Sequence, residues 1–421
     1  MKNHLLLLLS ANLLALSPLS AGDWPAFRGP GNNGVSAETS IPREWGPKKF
    51  VKWKTPLPGS CNGSPIVSNG KVFVTSAVEK GTTRTLHCFD RRTGKELWAK
   101  SVSIDEAMPT HKTNQYGGTT PAADGQRVVV WHGSAGIYCY NFNGVEIWGR
   151  KLGEYRHMWG YGTSPIIHDN KVFLHTGPGK RVYMFALDLD IGKVVWKTEE
   201  PVDGNGERNS KNKYMGSWST PVVVKSGSQD LVICSFATRV NAYDPKTGKI
   251  VFTCDGIRGK KGDLCYTSPV IAGDICVAMG GFTGPAIGFK IGGEGNITAK
   301  QRLWRTDSAP QRIGSGVYAA GYLFMANAGP ALFECIDPKT GEILWKERAP
   351  GAAHWGSMVY VDGHIYVTDQ EGTTHILEPD PNKLVLVQSN KLNDPTNSTP
   401  AFSDGQVFIR TFKHLYCIGK G

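Results

Sequence analysis

Short apolar runs bounded by turn-forming residues dominate the chain. KVFVTS at Lys71 and TLHCF at Thr85 are strand-length examples, and their spacing predicts consecutive strands rather than helices. A tight hairpin ending in an aromatic residue recurs after such runs. It reads DRRTGKELW at Asp90–Trp98, DLDIGKVVW at Asp188–Trp196, DPKTGKIVF at Asp244–Phe252 and DPKTGEILW at Asp337–Trp345. NFNGVEIW at Asn141–Trp148 is shorter, EPDPNKLVL at Glu378–Leu386 is degenerate, and a longer version ends at Trp304. Each Gly lies where the turn needs φ > 0, and the leading Asp or Asn can hydrogen-bond the turn's own backbone. In the degenerate copy Asn382 stands in for Gly, the substitution that geometry tolerates best.

A second element opens a short strand with Ser or Thr before Pro: GSPIV at Gly63, TTPAA at Thr119, TSPII at Thr163, STPVV at Ser219, TSPVI at Thr267 and STPAF at Ser398. GSGVY at Gly314 and GSMVY at Gly356 lack the Pro. The equivalent positions, 65, 121, 165, 221, 269, 316, 358 and 400, lie about 42–56 residues apart. Two more strands fit between the two elements, so each unit has four strands and there are eight units. This predicts an all-β fold, an eight-bladed β-propeller of four-stranded blades. After Ser398 the chain continues through QVFIRTF and HLYCI and ends without its Trp strand, while an orphan, FVKWKTPL around Trp53, precedes the first opening. The N-terminal strand is therefore expected to close the last blade, leaving no open sheet edge.

Composition agrees. The 421 residues include 51 Gly and 25 Pro, and 40% are hydrophobic, which supplies many turns and a large core and argues against a helical bundle or disorder. The formal charge of +11 is dispersed among acidic residues, as on a solvated surface, and gives no reason to expect nucleic acid. Lys2 precedes an apolar stretch from Leu5 to Leu16, followed by Ser17, Pro18, Ser20 and Ala21. Residues 1–21 thus read as a signal peptide, with 50–421 the propeller and residues 22–49, which carry Trp24, Phe27, Arg28 and Trp45, an extension expected to lie across the propeller as a cap or latch. The expectation is an exported protein, periplasmic or secreted, with no transmembrane segment.

The hairpin tryptophans are expected to be structural. Packing one indole against the neighbouring blade buries about 150–250 Å², worth roughly 4–6 kcal/mol as an upper estimate. Phe252 and Leu386 should give weaker seams. Cys88, Cys139, Cys335 and Cys417 share one repeat position, filled by Ala186 and Ala242 elsewhere. They are expected to be buried free thiols, too far apart to bridge. A disulfide between Cys254 and Cys265 stays open, and Cys61, Cys234 and Cys276 have no obvious partner.

Motifs for chemistry are scarce. GPGNNG at Gly29–Gly34 matches a dinucleotide-binding string but neither follows a strand nor opens a helix. DGNGERN at Asp203–Asn209 alternates oxygen ligands as a calcium loop does, yet Tyr214 occupies the place of the bidentate Glu. No catalytic residue and no metal ligand set is expected. The loops entering the inner strands should converge on one mouth of the channel. There they bring Gln115, Tyr116, Trp159, Tyr161, Trp218, Tyr266, Arg312, His354 and Trp355. Aromatics mixed with polar and cationic groups suit a flat, partly anionic ligand or a protein loop; the bland alternative is that they plug the channel mouth or pack under the extension.

The recurring Asp-x-x-Thr-Gly-Lys-x-x-Trp hairpin resembles the pyrroloquinoline-quinone (PQQ) repeat family across Phe50 to Ile418. DWPAFRGPGNNGVS at Asp23 resembles the start of exported quinoprotein-like propellers. The resemblance implies one of two behaviours: alcohol oxidation with PQQ and Ca²⁺, or the non-enzymatic partner binding of the outer-membrane assembly propeller. The dehydrogenases carry adjacent cysteines bridged beside the cofactor, and no two Cys are adjacent here. The expectation is a non-catalytic binding or scaffold propeller without a cofactor, acting on an unknown cell-envelope protein or small ligand. A compact PQQ- and Ca²⁺-dependent dehydrogenase is the alternative.

Overall fold

The computed structural model describes residues 22–420; the expected signal peptide lies outside them. Eight antiparallel blades form an eight-bladed β-propeller. The first blade comprises Ile66–Ser68, Lys71–Val78, Thr83–Asp90 and Glu96–Ser103 from channel to rim. Val51–Pro56 pairs with His414–Ile418 as the outer strand of the last blade, setting Trp53 opposite Cys417. The ring closes as the orphan Trp strand foretold.

The hairpins explain how blades adhere. Asp90 Oδ1 accepts from the Thr93 amide at 2.8 Å, and Asp244 Oδ1 accepts from Thr247 at 2.8 Å, so the leading Asp fixes the turn. Indole N–H groups of Trp53, Trp98, Trp148, Trp196, Trp304 and Trp345 donate to carbonyls of Arg91, Phe142, Leu189, Pro245, Pro338 and Asp380. Each acceptor lies in the next blade's hairpin. The turn Gly completes the joint: Gly248 has φ +73°, and a Cβ there would lie 2.4 Å from the Trp196 ring. Small residues face the indoles within each blade, Cys88 opposite Trp98 and Ala186 opposite Trp196. All nine cysteines are free and buried, Cys254 and Cys265 included, and burial pushes the Cys88 thiol up to about 12.

Two seams depart from the pattern. Where Phe252 replaces Trp, the next blade's long connection returns, and Gly295–Asn296 pairs in parallel with Phe252 and Thr253 as a fifth strand. In the seventh blade the residue in Trp register is Gln388, opposite Ile376, while Leu386 faces Leu377 and is 43% exposed. The expectation for Leu386 is thus corrected: the turn is longer than its sequence alignment suggested. Asn382 is corrected too. It is not among the left-handed residues, and Asp380 Oδ1 accepts its amide at 2.7 Å instead.

The extension repairs the seventh blade. Trp45 stacks on Tyr366, with ring centroids 6.4 Å apart and planes 3° from parallel. Tyr366 holds the second-strand position that Phe73, Phe173 and Phe324 hold under Trp98, Trp196 and Trp345. Upstream, Trp24 exchanges two backbone hydrogen bonds with Val67 of the first blade and Pro25 O accepts from Ala123 of the second, while Arg28 donates to Gly316 O at the sixth, across the ring, and Gly34 O accepts from Tyr360 of the seventh. Residues 22–49 therefore cross the far face of the propeller. Among the described residues, no helix is long and apolar enough to cross a membrane.

Candidate functional site

The Ser or Thr before each inner strand is the first layer of the site. Ser64 donates its backbone N–H to the Thr120 hydroxyl, Thr120 to Ser164, Ser164 to Thr220 and Thr220 to Ser268. Ser268 continues to Ser315, Ser315 to Ser357, Ser357 to Thr399 and Thr399 back to Ser64, all at 2.9–3.0 Å. The hydroxyls thus close a hydrogen-bonded ring around the channel, one per blade. A Ser or Thr hydroxyl has one proton and two lone pairs. Each here spends one lone pair on an amide, and among the described residues none spends its proton on a protein acceptor. All eight residues are at least 97% buried and line one cavity of about 340 Å³.

Phe27 of the extension enters that cavity from the side opposite the mouth, because its neighbours are anchored beyond the ring: Arg28 donates to Gly316 O and Trp24 pairs with Val67. The channel is consequently a cup. Its upper wall is two-sided. The third to fifth blades supply Trp159, Trp218, Tyr266 and Phe282. Trp159 and Trp218 centroids lie 6.0 Å apart, Trp218 and Tyr266 5.3 Å, and Trp159 and Phe282 6.3 Å. A parallel pairing of Tyr214–Ser217 with Gly262–Cys265 sets Trp218 and Tyr266 side by side. Arg208 and Lys261 sit over the outer rings, Tyr214 and Phe282.

Across the cup, the eighth, first and second blades present amides. Asn397 Nδ2 donates to Asn62 Oδ1 at 3.2 Å and to Thr113 O at 3.0 Å; Asn62 Nδ2 donates to Thr113 O at 2.9 Å. Asn114 Nδ2 donates to Trp159 O at 2.7 Å, tying the amide side to the aromatic side. Gln311 and Trp355 complete the rim. Among the described residues, the lining contains no Asp, Glu, Lys or Arg.

Of the residues expected at the mouth, Trp159, Trp218, Tyr266 and Trp355 come together in the cup. The other five point elsewhere. Gln115 donates to Lys112 O, and the Tyr116 ring rests against Gly81. Tyr161 is buried edge-on to Trp131 under the Arg84 guanidinium. Arg312 pairs with Glu334 at 2.7 Å, both buried. His354 packs on Phe333 inside a seam, where burial first, then neighbouring His375, lowers it to about 4. Strand alternation explains the split: of the residues leading into one inner strand, only some face the axis. The hydroxyl ring, Phe27, Asn62, Asn114, Phe282 and Asn397 were not expected. The Ser or Thr kept in all eight openings, even without Pro, was the available signal.

The calcium-like segment is no cation loop. Asp203 pairs with Arg258, Asn205 Oδ1 accepts from the Val182 amide, and Asn209 Oδ1 accepts from the Lys211 and Lys213 amides, so these oxygens are engaged by protein. No group of three or more potential metal ligands occurs among the described residues.

With this geometry in place, kinship can be read. The family model of the outer membrane protein assembly factor BamB, a PQQ-repeat family, matches residues 82–347 and 334–418. The chain belongs to this family. Its propeller superposes on BamB from Moraxella catarrhalis with a TM-score of 0.58 and 14% identity, covering 88% of this chain and 97% of that one; the likeness concerns the fold. Two curated relatives carry enzyme names. A polyvinylalcohol dehydrogenase of a Pseudomonas species is 25% identical over 48% of this chain. The dehydrogenase subunit of a quinone alcohol dehydrogenase of Acetobacter aceti is 25% identical over 51%. These matches span only 36% and 28% of the relatives' own lengths.

Proposed function

We propose that the protein is an exported, non-catalytic binding propeller of the PQQ-repeat family that takes a small ligand or protein segment at the mouth of its channel. The observation that carries this reading is the cup: about 340 Å³, within the size range of small-molecule sites, roughly 300–1,000 Å³. It combines aromatic faces with convergent polar groups and contains no acid–base pair. Export and a cell-envelope partner rest on the apolar leader and on the assembly-factor family.

The names of the curated relatives favour a second reading, a compact PQQ- and Ca²⁺-dependent dehydrogenase. The donor set of the cup does not fit that group. PQQ is a tricarboxylate, and the lining residues offer no Lys or Arg to meet it, only His111, and no carboxylate to hold calcium. Titrating the mature chain with PQQ, with and without Ca²⁺, and then assaying dye-linked alcohol oxidation tests the choice. The expected outcome is no turnover; saturable binding with turnover makes the protein a quinoprotein enzyme.

A further inference from the structure

The cup's polar groups match a particular ligand chemistry. After accepting a backbone amide, each ring hydroxyl retains one proton to give and one lone pair to receive. That bifunctional character complements groups that also donate and accept, which alcohols do and fully deprotonated anions such as sulfate do not. Lateral positions add the same duality, since Gln311 brings an amide to the lining. The lining offers an anion no Lys or Arg, only the exposed His111, so burying its charge there comes at considerable cost. It would also leave the Trp159, Trp218, Tyr266 and Phe282 faces without a partner.

The two-sided wall sharpens this. Apolar ring faces lie on the third to fifth blades and amides on the opposite blades, above a floor edged with hydroxyls. A saccharide has the same division, with C–H-rich ring faces and a hydroxyl-lined perimeter. We infer that the cup takes an uncharged polyhydroxylated ligand, a mono- or disaccharide, with a ring face against Trp159, Trp218 and Tyr266 and its hydroxyls on the Ser/Thr ring. This rests on the proposed binding role of the mouth and specifies its ligand class.

Trp159, Trp218 and Trp355 line the cup, so tryptophan fluorescence, checked by calorimetry, reports occupancy of the full mature chain. The probes are maltose, trehalose, N-acetylglucosamine and myo-inositol at up to millimolar concentration, with sulfate and PQQ as parallel arms. At least one saccharide or polyol should saturate. Trp355→Ala should weaken it about tenfold or more, the loss of about 1.4 kcal/mol. Phe27→Trp, which narrows the cup at its floor and removes no hydroxyl, should weaken it similarly at unchanged melting temperature, and Leu97→Ala on the outer rim should leave it unchanged. Saturation by sulfate alone, or by none of the neutral probes, overturns the inference. If a protein partner is captured through Trp159 and Trp355 while every saccharide fails, the binding role stands and the ligand class falls. If a saccharide binds and is oxidised with dye reduction, the ligand class stands and the non-catalytic role falls.

Discussion

Three histidines sit where a proton is unwelcome. Burial lowers His132 to about 3, assisted by the nearby Arg84 charge, and His175 and His354 to about 4. His175 Nδ1 shares a hydrogen bond with Ser219 O, the residue beside the hydroxyl ring. In the unfolded chain these imidazoles titrate near 6.5, so the unfolded state binds more protons as pH falls below that value. Their contribution is fully present above pH ~6.5 and is lost toward pH ~4. Glu200 acts with the opposite sign: burial raises it to about 7 despite Arg239, and its contribution is lost as pH rises from about 4.5 through 7. Urea unfolding should therefore show stability falling from pH 6.5 to 4. His175→Gln should lower that slope by about one proton, and Glu200→Gln should steepen it; unchanged slopes would refute the assignment.

Between residue and molecule, the joint is a ring of one blade laid over the turn of the next. The turn must be left-handed to expose its flat top, and a Cβ would collide with the ring, so two requirements meet at one Gly. Gly248→Ala should cost about 1–3 kcal/mol, as overpacking does, measured by chemical unfolding. The seam that lacks its own indole shows the same rule from the other side. Gln388 cannot cover Tyr366, and Trp45 arrives from another part of the chain to do so, its backbone N–H bonded to Asn390 Oδ1 at 3.0 Å. Trp45→Ala should cost about 3–5 kcal/mol, the range for a large buried aromatic. Gln388→Ala should cost far less, and equal losses would contradict the compensation.

At the scale of the whole molecule, core clusters straddle neighbouring blades: Phe73 and Cys88 pack with Val130 and Tyr140 of the next sheet. A blade has little apolar volume of its own, so stability resides in the seams and in closure of the ring. A chain stopped after Lys413 loses the partner of Val51–Pro56 and exposes two strand edges. Calorimetry of that truncation should show a broadened, less cooperative transition, and size-exclusion chromatography should show association. A sharp monomeric transition would mean that closure contributes little.

Period and turn chemistry are local properties, so the sequence by itself determined the blade number, the four-strand unit, the swapped closing strand and the structural role of the tryptophans. It also determined that Cys88, Cys139, Cys335 and Cys417 pack as small thiols, since each stands opposite an indole or its equivalent. What faces the axis is different. Whether Tyr161 or Trp159 enters the cup depends on twist and loop course, which one strand's pattern does not encode, and five expected residues turned away from the cup. The hydroxyl ring was present in the letters, yet its meaning needed closure, because each hydroxyl bonds a residue about 42–56 positions away, or, for Thr399 and Ser64, at the two ends of the propeller. Trp45 and Phe27 act far from where they are encoded. That the extension has no place in the blade count puts it across the propeller, but only the tertiary structure shows which face it crosses, which seam Trp45 fills and that Phe27 floors the channel.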